Sequence, residues 1–433
     1  MSVIFSACLL FGVFFFLLFI GCPIAVGLII ASIATISTIQ PIASVCPMLV
    51  KKMNGGIENF SLLAFPLFIL AGNLMNNGGI ARKLISFAKL FVGKIPGSLA
   101  QTNVVGNMLF GALSGSSVAA CSAMGGSIYP IQKEEGYDPA FAASVNIASA
   151  PAGMLIPPSN GFIIYATVVG GTSISALFMA GYVPGILMGL GTMFVAYIYA
   201  KKHNYKVSGS VPLSVWIKVS LDAIPSLLLI VVVIGGIVEG IFTATEGAGV
   251  SVLYCLLLSL CYRNITIKSF IKILYDSAVI SAVILFLISA STAMSYVMVR
   301  TGIPATLSKA ILSVSDNKYI LFLLINLILL VIGMFLDMTP AILIFVPILW
   351  PIANSFGMTS TQFGCVLIYN LCIGSMTPPV GSVLFVGCGI TKLKIEQVSK
   401  QLIPYFCMLL FVLMLITYIP QLSLALPQFL GLM

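Results

Sequence analysis

From Pro96 to Gln132 the chain carries not one Asp, Glu, Lys or Arg. As a single helix this stretch would be about 55 Å long at ~1.5 Å per residue, too long for one crossing of a ~30 Å hydrocarbon core. Its centre, Gly111-Ala112-Leu113-Ser114-Gly115-Ser116-Ser117, is a poor continuous helix. The stretch reads instead as a re-entrant hairpin, two half-helices meeting at a Ser/Gly tip. Irregular backbone is tolerated at membrane depth only when it is buried in protein or faces a watery cavity. The expected fold class is therefore an all-α polytopic membrane protein.

Composition agrees. Of 433 residues 60% are hydrophobic and 7% are charged, whereas soluble domains carry roughly a quarter charged residues. The length allows roughly ten to twelve apolar elements of ~20 residues, with no room for a soluble domain. Met1 to Gln40 lacks a basic n-region and a cleavage site, so it reads as a retained membrane segment. The excess of twenty Lys and Arg over eleven Asp and Glu could suggest nucleic-acid binding. The basic residues instead cluster between apolar stretches, as at Lys51-Lys52, Arg82-Lys83 and Lys201-Lys202, where they orient and anchor spans. The bilayer is thus an expected partner and nucleic acid is not. Ten scattered cysteines and a single histidine, His203, exclude most Cys/His metal sites and any histidine triad. No cofactor is expected.

Ile4 to Ile39, with Pro23 near its middle, is either one kinked helix or two short ones. Gly79 to Pro96 places Ile80, Leu84, Phe87, Leu90 and Phe91 on one side and Arg82, Lys83 and Lys89 away from it, an amphipathic interfacial helix. Farther on, Pro151 and Pro157-Pro158 interrupt an uncharged segment, since each proline removes a backbone donor and clashes with the preceding turn.

These features recur. Tyr319 to Trp350 is uncharged except for Asp337, with a weak centre at Asp337-Met338-Thr339-Pro340, and a second break reads Gly374-Ser375-Met376-Thr377-Pro378-Pro379. Pro130 and Pro351 are offset by 351 − 130 = 221, and the same offset carries Pro157-Pro158 onto Pro378-Pro379. This is an internal repeat. The expected organisation is scaffold helices over 1–78 and a first repeat over 79–200, with its arm helix, hairpin and helix broken at 150–161. A connector follows at 201–218, scaffold helices at 219–301, and a second repeat at 302–433 with its break at 374–381. The two repeats are expected to have opposite topology.

Paired, interrupted segments in corresponding places of two halves point to the binding site of a secondary transporter. The carbonyls ending one half-helix carry partial negative charge and can replace water around a small cation such as Na⁺. The N–H groups opening the next half-helix favour an anion such as a carboxylate.

Several segments carry a family resemblance. Ala64-Phe65-Pro66-Leu67-Phe68-Ile69-Leu70-Ala71-Gly72, Ser114-Gly115-Ser116-Ser117 and Met154-Leu155-Ile156-Pro157-Pro158-Ser159 resemble the large membrane subunit (DctM type) of tripartite ATP-independent periplasmic (TRAP) transporters. So do Gly235-Gly236-Ile237, Gly240-Ile241-Phe242-Thr243 and Ser375-Met376-Thr377-Pro378-Pro379. The resemblance covers nearly the whole chain. It implies an inner-membrane protein working with a periplasmic substrate-binding protein and a small four-helix membrane subunit, here expected as a separate polypeptide. It also implies Na⁺-driven, elevator-like uptake of an organic acid of the sialic acid or C4-dicarboxylate class.

The candidate cation ligands are Ser116, Ser117, Gly153, Ile156, Asp337, Thr339, Gly374, Met376 and Thr377, with Na⁺ the only metal. Ser114, Gly115, Ser159, Asn160 and Thr377 are candidates for substrate. Pro157, Pro158, Pro378 and Pro379 act as breaks that free neighbouring carbonyls, unless neighbouring groups re-satisfy those carbonyls and the kink is structural. The serines could instead simply permit close helix packing. Asp337 needs a partner at membrane depth, and it could also cap the helix that follows. Asn103 and Asn107 suit interhelical hydrogen bonds, and Glu239 and Glu246 a scaffold cap or a contact to the partner subunit. Arg300 suits an interfacial anchor, and Phe14 to Phe16 contact with lipid or the partner subunit. The rivals are a stand-alone symporter, a membrane enzyme and a pore. The enzyme lacks a catalytic cluster and the pore a charged ring.

Overall fold

Charge-free, proline-punctuated stretches leave the backbone no hydrogen-bonding partner but itself, and the result is helical throughout. The computed structural model describes residues 2–78, 80–205, 212–312, 317–378 and 381–433. The chain opens with α1 (Val3–Phe19), α2 (Ile24–Ile36), α3 (Ile42–Ile57) and α4 (Ala64–Asn77). The first repeat follows as α5 (Ile80–Val92), α6 (Ser98–Ser114), α7 (Ser117–Glu134), α8 (Pro139–Ser149), α9 (Ala152–Leu155), α10 (Asn160–Val169) and α11 (Ile174–Lys202). Then come α12 (Leu213–Val238), α13 (Ala244–Cys261) and α14 (Ile267–Thr301). The second repeat comprises α15 (Ile303–Leu312), α16 (Lys318–Phe335), α17 (Met338–Ser355), α18 (Ser360–Gly374), α19 (Ser382–Thr391) and α20 (Ile395–Tyr418), and α21 (Gln421–Phe429) ends the chain.

Among the described residues eight helices are long and apolar enough to cross a bilayer. The number is nine if α8–α9 and α10, bent by 49° at their break, form one span. Ten to twelve elements fit the length only when the shorter hairpin arms and half-helices are counted too. The N-terminal stretch is two packed helices, α1 and α2, turned at Gly21 (φ +84°) ahead of Pro23. The Phe14–Phe16 run divides, because neighbours on a helix point ~100° apart. Phe14 is buried beside Gly27 of α2, while Phe15 and Phe16 are exposed. The basic pair Lys51-Lys52 belongs to α3, a helix the sequence pattern did not announce. It packs on α14, with the Lys52 ammonium 5.0 Å from the centre of the Tyr296 ring.

Glu246 caps the scaffold helix α13: its carboxylate accepts from the Thr243 amide at 2.8 Å and the Thr243 hydroxyl at 2.9 Å. On α5, the Lys83 ammonium sits 3.5 Å from the centre of the Tyr262 ring at the end of α13.

The packing is compatible with the internal repeat. In the first repeat Gly153 lies against the backbone of Gly111 on α6, and in the second Gly374 lies against Gly333 on α16. The two broken-helix glycines differ by 374 − 153 = 221, the offset of the double prolines. The halves are also exchanged, for α10 packs on α17 while α19 packs on α7. The Cys372 thiol approaches the Pro151 carbonyl at 3.6 Å across a separation of 221 residues. Positions related by the repeat meet there.

Candidate functional site

Small residues let the two hairpins and a broken helix converge. At the first hairpin, α6 ends at Gly115 in the left-handed region (φ +60°). A side chain there would also meet Asn160, whose Nδ2 donates to the Gly115 carbonyl at 3.4 Å. Ser116 is extended and opens α7, its hydroxyl accepting from the Ala119 amide at 3.2 Å. At the second hairpin Leu336 and Asp337 are both extended between α16 and α17. Asp337 occupies the cap position of α17 without making a side-chain capping bond. Its Oδ1 accepts instead from the hydroxyl of Ser382, the first residue of α19, at 3.2 Å.

Both tips open onto one cavity of about 450 Å³. The first contributes Ser114, Gly115 and Ser116, and the second Asp337, Met338 and Thr339. The break between α9 and α10 supplies Met154, Asn160 and Gly161. Scaffold residues close the other side, including Asn73 and Asn76 of α4 and Ile280 and Ile284 of α14. Three helix N-termini, those of α7, α10 and α17, therefore meet at one cavity, and each carries roughly half a positive charge. Asp337 is the sole charged side chain among the described residues lining it. No group of three or more His, Cys, Asp or Glu placed to hold a metal ion is found among the described residues. The oxygen donors present suit a hard cation.

Of the sequence candidates, Ser114, Gly115, Ser116, Asn160, Asp337 and Thr339 line this cavity. Ser117, Gly153, Ile156, Ser159, Gly374, Met376 and Thr377 do not. Gly153 and Gly374 are packing contacts, and Ile156 lies against Gly185 of α11. Ser159, fully buried, has a hydroxyl without a hydrogen-bond partner. Around the second break the backbone folds on itself. The Gly374 carbonyl accepts from the Thr377 amide at 2.9 Å, the Thr377 carbonyl from Gly381 at 3.1 Å, and the Ser375 carbonyl from Val383 at 2.9 Å. The Thr377 hydroxyl donates to Ile373 at 2.7 Å. Neighbouring groups thus satisfy these carbonyls. Pro157, Pro158 and Pro378 lie outside helices, as breaks should, and Pro379 lies outside the described residues.

Asn107 serves interhelical bonding, whereas Asn103 bonds only within α6, its Oδ1 accepting from Asn107 Nδ2 at 3.1 Å. Asn107 Nδ2 lies 2.8 Å from the Ser149 hydroxyl and 3.0 Å from Asn146 Oδ1. The second repeat answers with Asn370 donating to Asn326 at 2.6 Å. Sequence reasoning missed Asn73, Asn76, Ser122 and Ser382. The available signal was amides recurring at i and i+3 inside the apolar helix α4.

Comparison with known proteins places this architecture. The family described as "Tripartite ATP-independent periplasmic transporter, DctM component" matches residues 11–422. The uncharacterised protein YgiK of Salmonella typhimurium is 47% identical over 424 residues, covering 98% of both chains. The sialic acid TRAP transporter large permease protein SiaM of Vibrio cholerae is 37% identical over 417 residues, covering 96% of this chain and 97% of its own. In fold, the chain is similar to the YdaH transporter of Alcanivorax borkumensis, with a TM-score of 0.54 and 14% identity over 82% of this chain and 86% of that one. Its apolar spans and these relatives make it a multi-pass protein of the bacterial inner membrane. It belongs to the DctM family of TRAP transporter large permeases.

Proposed function

We propose that the chain carries a small organic acid, delivered by a periplasmic binding protein, into the cell in symport with Na⁺. The observation that carries this reading is the single cavity shared by both hairpin tips and the first helix break. The N-termini of α7 and α10 attract the substrate carboxylate. Asp337, with Thr339 beside it, is the anionic corner for Na⁺, which enters as a co-substrate. A small four-helix membrane subunit packs on the scaffold. The cavity has one wall on the hairpins and the other on α4 and α14, so alternating access follows when the hairpin-bearing repeats, of opposite topology, slide as an elevator against the scaffold.

The test is uptake into proteoliposomes holding the chain, its small subunit and its binding protein, with Na⁺ and candidate acids varied independently. Uptake should need both Na⁺ and the binding protein, and Asp337→Ala should flatten the Na⁺ response. Uptake that persists without any binding protein would favour a stand-alone symporter. A Na⁺ response unchanged in Asp337→Ala removes that residue from the ion site.

A further inference from the structure

We propose that the cavity selects acids with one carboxylate and a hydroxylated body, the sugar-acid class, over C4-dicarboxylates. This rests on the transport reading above and narrows it. Charge is the first ground. The described lining residues include no Lys, Arg or His, and their one charge is the Asp337 carboxylate. Of the three helix N-termini at the cavity, that of α17 already faces Asp337 at its cap position. The two left over, α7 and α10, offer together about one unit of positive charge, enough for one carboxylate. A second carboxylate would be desolvated with no cationic side chain to receive it.

The chemistry of the wall is the second ground. Asn73 and Asn76 stand one turn apart on α4, and Ser122 faces the cavity from α7. Asn73 Nδ2 donates to the Ser277 hydroxyl at 2.8 Å, which fixes the amide and leaves its Oδ1 as an acceptor. Neutral amides and hydroxyls match substrate hydroxyls, and a site built to pair them rejects analogues that lack them. Size agrees. A cavity of about 450 Å³ holds the equivalent of about fifteen waters at ~30 Å³ each. A four-carbon diacid of about eight heavy atoms would leave roughly half of that as solvent, and a six-carbon hydroxy acid of about thirteen would nearly fill it.

The test is equilibrium binding to the purified full-length chain in nanodiscs, in NaCl and in KCl. The probes are D-gluconate, D-glucuronate, succinate, L-malate and D-mannitol. In NaCl at least one of the first two should bind tenfold or more tighter than either diacid, and D-mannitol should not bind. Asn76→Ala and Ser122→Ala should weaken that acid at least fivefold while leaving the diacids within twofold. Asn76→Gln serves if the alanine variant misfolds, and melting curves report folding for each. A diacid binding as tightly as the hydroxy acids overturns the inference and leaves the transport reading standing. Equal weakening of both classes by Asn76→Ala also overturns it. Binding of no acid in NaCl overturns both.

Discussion

The repeat-related glycine contacts give the sharpest handle on how the hairpins are held. A Cβ added at Gly374 would lie 2.5 Å from both Cα and C of Gly333 and 2.8 Å from its carbonyl oxygen. All three are backbone atoms, so no rotamer change relieves the clash. Carbon atoms pack best at ~3.5–4.0 Å, so α16 and α18 must part by about 1 Å. A gap of that size forfeits a quarter to a half of the dispersion attraction along the seam, and overpacking of this kind costs about 1–3 kcal/mol. At ~2–4 °C per kcal/mol, the melting temperature of Gly374→Ala in detergent should fall by about 2–12 °C. Gly153→Ala should behave alike, because its Cβ would lie 2.3 Å from Gly111 Cα and 2.7 Å from the Asn107 carbonyl oxygen. Gly126→Ala is the control. It lies in the helix α7 with nothing within 4 Å, so the better helix former should leave stability unchanged or raise it. Fluorescence-monitored melting of the three variants decides the matter. If Gly374→Ala and Gly153→Ala melt with the wild type, the seams are not close-packed and the reasoning fails.

Two further outcomes follow from single contacts. Ser382→Ala removes the hydroxyl that holds Asp337 at the hairpin tip. The contact is solvent-exposed, so its loss should cost only about 0.5–1 kcal/mol and weaken the apparent Na⁺ affinity of uptake about two- to fivefold; an unchanged Na⁺ titration separates Ser382 from the ion site. Tyr262→Leu removes the ring beneath Lys83, a contact of about 0.5–1 kcal/mol, so hydrogen exchange across 83–92 should speed up about two- to fivefold. Exchange at the wild-type rate would show that α5 is held by its packing on α6 and α12 alone.

What the sequence disclosed depended on how local the cause was. A charge-free stretch too long for one crossing, or a double proline, acts on its own backbone, and the described chain leaves its helices at Gly115–Ser116, at Leu336–Asp337, at Pro157-Pro158 and at Pro378. The cavity is not local. Ser116 and Asp337 could be suspected because each lies at a tip, but Asn73, Asn76 and Ser122 sit inside helices, and only tertiary packing tells which face they turn to a neighbour. Ser382 has the same character, because its partner Asp337 lies 45 residues away at the tip of the second hairpin. The prolines beside Gly153, Gly374 and Thr377 should free carbonyls there, yet at Gly374 the following turn takes up those carbonyls itself.

The two breaks therefore do different work despite their shared spacing. The first turns its second half-helix toward the cavity, where Asn160 and Gly161 stand at the start of α10. The second turns inward, its carbonyls bonded within the segment, and contributes to the site only through Ser382 at the start of α19. A symmetric duplication alone would give two equal half-sites. Here the repeats share a skeleton of glycine contacts and exchanged helices, while the polar groups they bring to the cavity, beside Asn73 and Asn76 of the scaffold, come from both tips but only one break. The cavity thus presents unlike surfaces: neutral amides, hydroxyls and open helix N-termini on the side of the scaffold and the first repeat, and a carboxylate held by a hydroxyl on the side of the second. Under the proposed transport, that asymmetry would let one cavity accept an anion and a cation together with a single charged side chain among its described lining residues.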